Sequence, residues 1–181
     1  PSLPRDATGA YPDDDPGERP YNRRSTFNTV SRNKQSLTLN LDSPQGKDLF
    51  LRLVESADVV AENYSSRVLG NLGLGYPALR AVNPSIILLR MPTYGCDGPY
   101  SPYPGNGGST EPMTGNSYLL GYKDGPPMNS GIMYTDPVAG VLGFGALLIA
   151  LHHRHRTGEG QFIDLSQQET GITLLGDQIL E

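Results

Sequence analysis

One carboxylate stands out by its placement. Asp136 lies in Gly131-Ile132-Met133-Tyr134-Thr135-Asp136-Pro137-Val138-Ala139-Gly140, directly before an apolar run. Aspartate followed by proline marks a helix start: the carboxylate caps free N–H groups, and proline's locked φ suits the first turn. The helix predicted over residues 138–152 carries Val141, Leu142, Phe144, Leu147, Leu148, Ile149 and Leu151. Almost every face is apolar, which predicts burial. A carboxylate at the mouth of such a helix sits where backbone N–H groups and the dipole favour negative charge. Most aspartates in this position are caps and nothing more. A carboxylate in such a place can also do chemistry, though far fewer do.

The other reactive side chains have weaker surroundings. Cys96 has no histidine paired with it by any sequence feature, so it reads as a small buried thiol. His152, His153 and His155 precede Arg156-Thr157-Gly158, an ordinary cationic helix ending, and no carboxylate or cysteine stands nearby at ligand spacing. No metal is expected there. The run Asp13-Asp14-Asp15-Pro16-Gly17-Glu18 lacks a calcium-loop pattern and reads as solvated surface. Gly73-Leu74-Gly75 and Gly105-Asn106-Gly107 do not complete a dinucleotide fingerprint between strand and helix, which argues against a nicotinamide cofactor.

The elements that would position Asp136 follow from periodicity. Residues 1–35 are rich in proline, glycine and charge and read as an exposed lead-in loop. Residues 36–41 alternate apolar and polar, a strand. Ser43-Pro44 opens a helix with Leu49, Phe50, Leu53 and Val54 at helical spacing. Residues 58–63 form a short strand, 66–72 and 76–82 two short helices, and 84–90 a buried strand. Residues 109–115 are expected as a short helix, 161–165 as a strand and 167–181 as a helix. Alternation of this kind predicts an α/β fold: a Rossmann-like parallel sheet with helices on both faces, incomplete at both ends of the chain. In such sheets ligands bind beyond the carboxyl ends of the strands. The loops leaving those ends are residues 40–42, 63–65 and the long glycine-rich stretch 91–108.

Composition narrows the partners. The chain has 181 residues, net charge −5 and one cysteine. No basic stripe interleaves with aromatics, so nucleic acid is not expected. A lone thiol fits a reducing compartment, and a cytoplasmic location is expected. The run 138–151 is short of the roughly 20 residues a bilayer requires, so no membrane is expected. The chain starts at Pro1 and stops at Glu181 inside a predicted helix, so both ends read as cut from a longer protein.

With these segments laid out, the chain resembles the family III CoA-transferases of the CaiB/BaiF type, the group that includes formyl-CoA transferase and alpha-methylacyl-CoA racemase. The resemblance runs from about Asn33 to the end. It rests on Ala61-Glu62-Asn63-Tyr64, on Leu72-Gly73-Leu74-Gly75-Tyr76 with Leu79-Arg80-Ala81-Val82-Asn83-Pro84, on Gly95-Cys96-Asp97-Gly98-Pro99-Tyr100, on Asp136-Pro137-Val138-Ala139-Gly140, and on His153-Arg154-His155-Arg156-Thr157-Gly158-Glu159-Gly160-Gln161. Each is weak alone; together, in the family's order and spacing, they are specific. The resemblance implies that residues 36–181 are part of a large CoA-binding domain and that Asp136 falls on the family's catalytic aspartate. It also implies that Leu39, Asn40, Leu41, Asp42, Asn63, Tyr64, Tyr103, Pro104, Gly105 and Asn106 fall on segments lining the CoA site. Asn71 stands where the family often has a basic residue, and Asn106 where the racemase branch has a histidine.

The activity implied is transfer of CoA from an acyl-CoA to a carboxylic acid acceptor. Anhydride and aspartyl-CoA thioester intermediates would form on Asp136. Coenzyme A is then a carried group and no cofactor is needed. A homodimer of interlocked chains is implied for the full-length protein. The alternatives are a 2-methylacyl-CoA racemase, for which Asn106 cannot supply the second titrating group, and a chain that binds CoA esters without catalysis.

Overall fold

The structure is a computed structural model and describes residues 11–180. The chain divides into two compact units that meet in sequence between Leu39 and Asn40. In the first, a 3-10 turn at Pro12–Asp14 is followed by α1 (Pro20–Arg23) and α2 (Ser25–Val30). Pro20 opens α1, where a missing N–H costs nothing. The lead-in is thus exposed along most of its described length yet carries two short helices; its first ten residues lie outside the description.

The alternating segment 36–41 does not form a strand. Among the described residues nothing pairs with it, and Leu37 is exposed. Alternation states which side chains share a face; a strand also requires a neighbouring edge. Asn40 instead starts a tight turn: its Oδ1 accepts the Asp42 N–H (3.0 Å) and its carbonyl accepts the Ser43 hydroxyl (2.9 Å). Ser43 then caps α3 (Pro44–Ser56) by accepting the Gly46 N–H at 3.0 Å.

The second unit is a three-stranded parallel sheet, order β1-β2-β3, with β1 at Val59–Glu62, β2 at Ile87–Arg90 and β3 at Phe162–Asp164. Between β1 and β2 run α4 (Val68–Leu72) and α5 (Tyr76–Val82). Between β2 and β3 come α6 (Gly107–Met113), α7 (Asn116–Leu119) and the long α8 (Thr135–Thr157). After β3, α9 (Gln167–Ile172) passes into a 3-10 stretch, Thr173–Leu180, kinked at Gly176, rather than the single helix expected. Every residue of β2 is buried. Leu88 joins Val54, Leu69, Leu74, Leu79 and Ile86 in the core beneath α3 and α5. Leu89, pointing the other way, lies under Gly143 of α8, where an added Cβ would stand 2.8 Å from Met91 Sδ and 3.3 Å from Leu89 Cδ2. Helices therefore cover both faces at the central strand.

Two expectations about α8 need correction. The helix begins at Thr135, and its cap is Tyr134, which makes no side-chain cap bond. Asp136 is an acidic residue of the first turn, not the cap. Nor is the helix buried all round. Thr135, Ala139, Gly143 and Ala150 are buried, whereas Val141, Phe144 and Leu148 are exposed on a stripe at helical spacing. With no polar face in the sequence, nothing marked which side would meet the sheet. By length and composition α8 is also long and apolar enough to cross a membrane, unlike the shorter run read from sequence. Here its inner side packs on β2 and α9, and Arg154 ties its last turn to the start of β1, donating to the Asp58 carbonyl (3.1 Å) and carboxylate (2.8 Å). Gly158, at φ 79°, ends it in the left-handed conformation that suits glycine.

Asn83 joins the layers. Its buried amide donates to the carbonyls of Val54 (3.0 Å) and Ala57 (2.9 Å) at the end of α3, and its Oδ1 accepts the Ser85 N–H (3.1 Å) and hydroxyl (2.9 Å). Asn83→Ala strands the two α3 carbonyls. It should cost about 2–3 kcal/mol in urea unfolding of the full-length protein, and a loss under about 0.5 kcal/mol would show that water replaces these bonds.

Candidate active site

The parallel register brings three charged side chains to one row at the carboxyl ends of the strands: Glu62 opposite Arg90, and Arg90 opposite Asp164. Arg90, 9 % exposed, pairs through Nε with Glu62 Oε1 and donates from its terminal nitrogen to the Ser66 carbonyl at 2.8 Å. Glu62 Oε2 accepts the Tyr64 N–H at 2.7 Å. The turn after β1 is therefore folded around one buried ion pair. Its Ser66 hydroxyl then donates to the Ser101 carbonyl at 2.7 Å, linking this turn to the long loop after β2.

That loop is held from β3 and α9 as well. Both Asp164 oxygens receive the Cys96 N–H, at 2.9 and 3.1 Å. The Gln167 and Gln168 N–H groups donate to the carbonyls of Pro92 (3.2 Å) and Thr93 (2.9 Å), and the Gln167 amide reaches the Met91 carbonyl at 2.8 Å. Cys96 is not set up as a nucleophile. Burial, then its hydrogen bond with Asp164, pushes the thiol up to about 12.

Past this braced stretch, Gly105 runs so close to Thr93 that a Cβ there would overlap its side chain. Asn106 caps α6: its Oδ1 accepts the Ser109 N–H (3.1 Å), and its own N–H donates to the Ser109 hydroxyl (3.0 Å). Gly107, the first residue of α6, lies against the start of α8. A Cβ on Gly107 would stand 2.8 and 2.9 Å from the two Asp136 carboxylate oxygens and closer still to Met133 Cβ. Backbone alone thus faces the carboxylate. No hydrogen bond from the described residues engages the Asp136 carboxylate, and partial burial pushes its pKa above the ordinary value of 3.8. Beside it Thr135 is fully buried, its Oγ1 without a partner among the described residues, where α8 meets Gly171 of α9.

The structure joins some of the sequence-predicted site residues and leaves others apart. Asn63 and Tyr64 belong to the Glu62–Arg90 turn, which the Ser66–Ser101 bond links to the loop carrying Tyr103, Pro104, Gly105 and Asn106. Tyr94, Tyr100 and Tyr103 form a chain of rings with centroids 6.1 and 6.2 Å apart along that loop. Asn106 leads directly into Gly107 and so to Asp136. Asn40, Leu41 and Asp42 form the turn into α3, with no hydrogen bond to the other site segments among the described residues. Leu39 belongs to the first unit.

Sequence reasoning missed Glu111. It is 1 % exposed, and its carboxylate accepts the Ser130 N–H (2.5 Å) and hydroxyl (2.8 Å) and the Tyr134 N–H (3.3 Å). Burial alone would raise its pKa; these three donors outweigh that and hold it below its ordinary value. Nothing in Ser109-Thr110-Glu111-Pro112 announces a buried charge. The only signal was the Asn106-to-Ser109 capping spacing, which places α6 and leaves its buried face open.

Residues 8–181 match the family model described as CoA-transferase family III, and the chain belongs to that family. It is 37% identical over 166 residues to succinyl-CoA–D-citramalate CoA-transferase of Chloroflexus aurantiacus, covering 91% of this chain and 41% of that protein. It is 39% identical over 146 residues to the beta subunit of succinyl-CoA–L-malate CoA-transferase of the same organism, covering 80% and 36%. A CaiB/BaiF family protein from Brucella suis superposes with a TM-score of 0.77 at 34% identity, over 81% of this chain and 39% of that one. The chain thus spans about two fifths of the length of these relatives.

Two measurements probe the geometry. Gly107→Ala has to displace Met133 and the Asp136 carboxylate, so any turnover of the full-length protein that depends on Asp136 should fall on the order of a hundredfold; an alanine variant with wild-type turnover would show that the seat under Asp136 is soft or that turnover does not use it. The second follows from the raised pKa of Asp136. Below the ordinary aspartate pKa both states hold the proton and nothing is lost. As pH climbs through the raised folded value, ionisation weakens the fold. Asp136→Asn should therefore match wild type in Tm near about pH 3 and be the more stable of the two at about pH 7; a variant that is less stable at neutral pH contradicts the burial account.

Proposed function

We propose that the full-length protein is an acyl-CoA:carboxylate CoA-transferase with Asp136 as nucleophile. The observation that carries the reading is the Asp136 carboxylate itself: free of internal hydrogen bonds among the described residues, seated on the Gly107 backbone, at the carboxyl end of the sheet. Family membership and the names of the related CoA-transferases support the reaction class.

In this reading an Asp136 oxygen attacks the thioester carbonyl of an acyl-CoA, and CoA thiolate leaves a mixed anhydride. The thiolate attacks the aspartyl carbonyl, which frees the first acid and forms an aspartyl-CoA thioester. The carboxylate of the acceptor acid attacks that carbonyl and expels the thiolate. Thiolate then attacks the acceptor's acyl carbon, and Asp136 departs as carboxylate. Every step moves one acyl carbon between oxygen and sulfur, so electrons balance without a redox partner. Coenzyme A is the carried group. Asn63, Tyr64, Tyr103 and Asn106, on loops at the strand ends, and Asn40 and Asp42, in the turn into α3, are proposed to contact it. Tyr64 and Tyr103 offer exposed rings, and the neighbouring glycines allow close approach of backbone. A cytoplasmic homodimer is proposed, with support from the single free thiol and from the exposed apolar stripe of α8.

The racemase alternative is disfavoured by Asn106, whose amide oxygen is occupied as the cap of α6 and whose side chain cannot carry a proton to a substrate carbon. The test of the main reading is covalent capture. Full-length enzyme incubated with acyl-CoA donor should hold an acyl or CoA adduct on the peptide spanning residues 131–141, and Asp136→Asn should lose turnover on the order of a thousandfold or more. Near wild-type transfer by Asp136→Asn would overturn the proposal.

A further inference from the structure

We propose that Glu111 is the positioning residue for Asp136: its buried carboxylate clamps residues 130–134 into the turn that sets where α8 begins, and so holds the Asp136 carboxylate over Gly107. The inference rests on the reading of Asp136 as the nucleophile. Met133 has φ 51°, in the left-handed region that a long side chain rarely adopts. Such a conformation persists only where its surroundings impose it, and it concentrates at functional sites. Here the restraint is visible on both flanks. Glu111 Oε1 accepts the Ser130 N–H at 2.5 Å, while Oε2 accepts the Ser130 hydroxyl at 2.8 Å and the Tyr134 N–H at 3.3 Å. Tyr134 is already helical at φ −54° and ψ −31°, and Asp136 follows two residues later, its N–H donating to the Met133 carbonyl at 3.0 Å. The position of Asp136 is therefore inherited from the Met133 turn.

The clamp and the seat lie on one helix. Gly107, which faces the Asp136 carboxylate, and Glu111, which holds the segment leading to it, are one turn apart on α6. Any shift of the turn relative to α6 moves Asp136 off Gly107. A carboxylate suits the task and an amide does not. All three partners of Glu111 are donors, whereas glutamine has one acceptor oxygen and would turn an NH2 group toward a donor. Among the described residues no cation is paired with Glu111, so these donors are its only visible compensation.

The experiment uses the full-length enzyme and measures the rate of adduct formation on Asp136 by rapid quench and peptide mass spectrometry. KM for acyl-CoA and Tm are measured alongside. Glu111→Gln should slow adduct formation on the order of ten- to a hundredfold while KM changes less than about twofold, because the nucleophile is misplaced and CoA binding is not. Adding Met133→Gly to Glu111→Gln should recover part of the rate, since glycine enters the left-handed turn without the steric cost the clamp offsets. A Glu111→Gln enzyme with lowered Tm but wild-type adduct formation per folded molecule, or a double variant with no recovery, would overturn the proposal. Should Glu111→Gln not fold, Ser130→Ala decides. It deletes one donor, leaves the carboxylate in place and should slow the same step severalfold, and a wild-type rate there overturns the clamp. An adduct that forms in the wild-type enzyme on a residue other than Asp136 is a different result: it overturns the nucleophile reading, and the clamp falls with it.

Discussion

The buried pair between Glu62 and Arg90 is the constraint on which the strand-end architecture depends. Parallel register alone sets the two residues opposite one another, at the last position of β1 and of β2. Two charges taken out of water require close pairing and further hydrogen bonds to offset their desolvation. The pair meets both needs through the chain that follows: the Tyr64 N–H donates to the free Glu62 oxygen, and the Ser66 carbonyl accepts from the Arg90 terminal nitrogen. The turn after β1 is thus shaped by the electrostatic requirements of the ion pair. The same logic recurs one strand over, where Asp164, in register with Arg90, receives the Cys96 N–H at both oxygens. The loops after β1 and β2 are thus tied to charges that the sheet register aligns across three strands.

This explains which parts of the molecule were legible in the sequence. Elements whose stability is local, or which lie in the continuous apolar core, could be read. The Ser43-Pro44 start of α3, the β2 run and the Gly158 stop of α8 all have short-range causes. Elements that depend on what they meet could not. The 36–41 alternation lacked a partner edge, α8 gave no sign of which face meets the sheet, and the kink at Gly176 depends on a φ of 58° that a glycine permits without announcing. The candidate site divides in the same way. Asp136 stood out because an aspartate and a proline before an apolar run form a local pattern. Its true place in the first turn follows the left-handed Met133 and the helical Tyr134, whose N–H donates to Glu111 more than twenty residues upstream.

Freedom from capping matters to the chemistry. A carboxylate that caps a helix accepts N–H groups with the same lone pairs it would use in attack, and each bond stabilises the anion and blunts it as a nucleophile. Here the left-handed Met133 lets the backbone enter α8 at Tyr134 without a side-chain cap, so the Asp136 oxygens are left unengaged by the described chain. The raised pKa has the same origin: partial burial without donors to compensate it. Glu111, one turn along α6 from Gly107, is the opposite case, a carboxylate whose three donors lower its pKa despite near-complete burial. Two carboxylates close to one short helix have thus been given different work by their hydrogen bonds. The saturated one holds the backbone ahead of α8, and the other keeps its oxygens free of internal hydrogen bonds, as the proposed nucleophile requires.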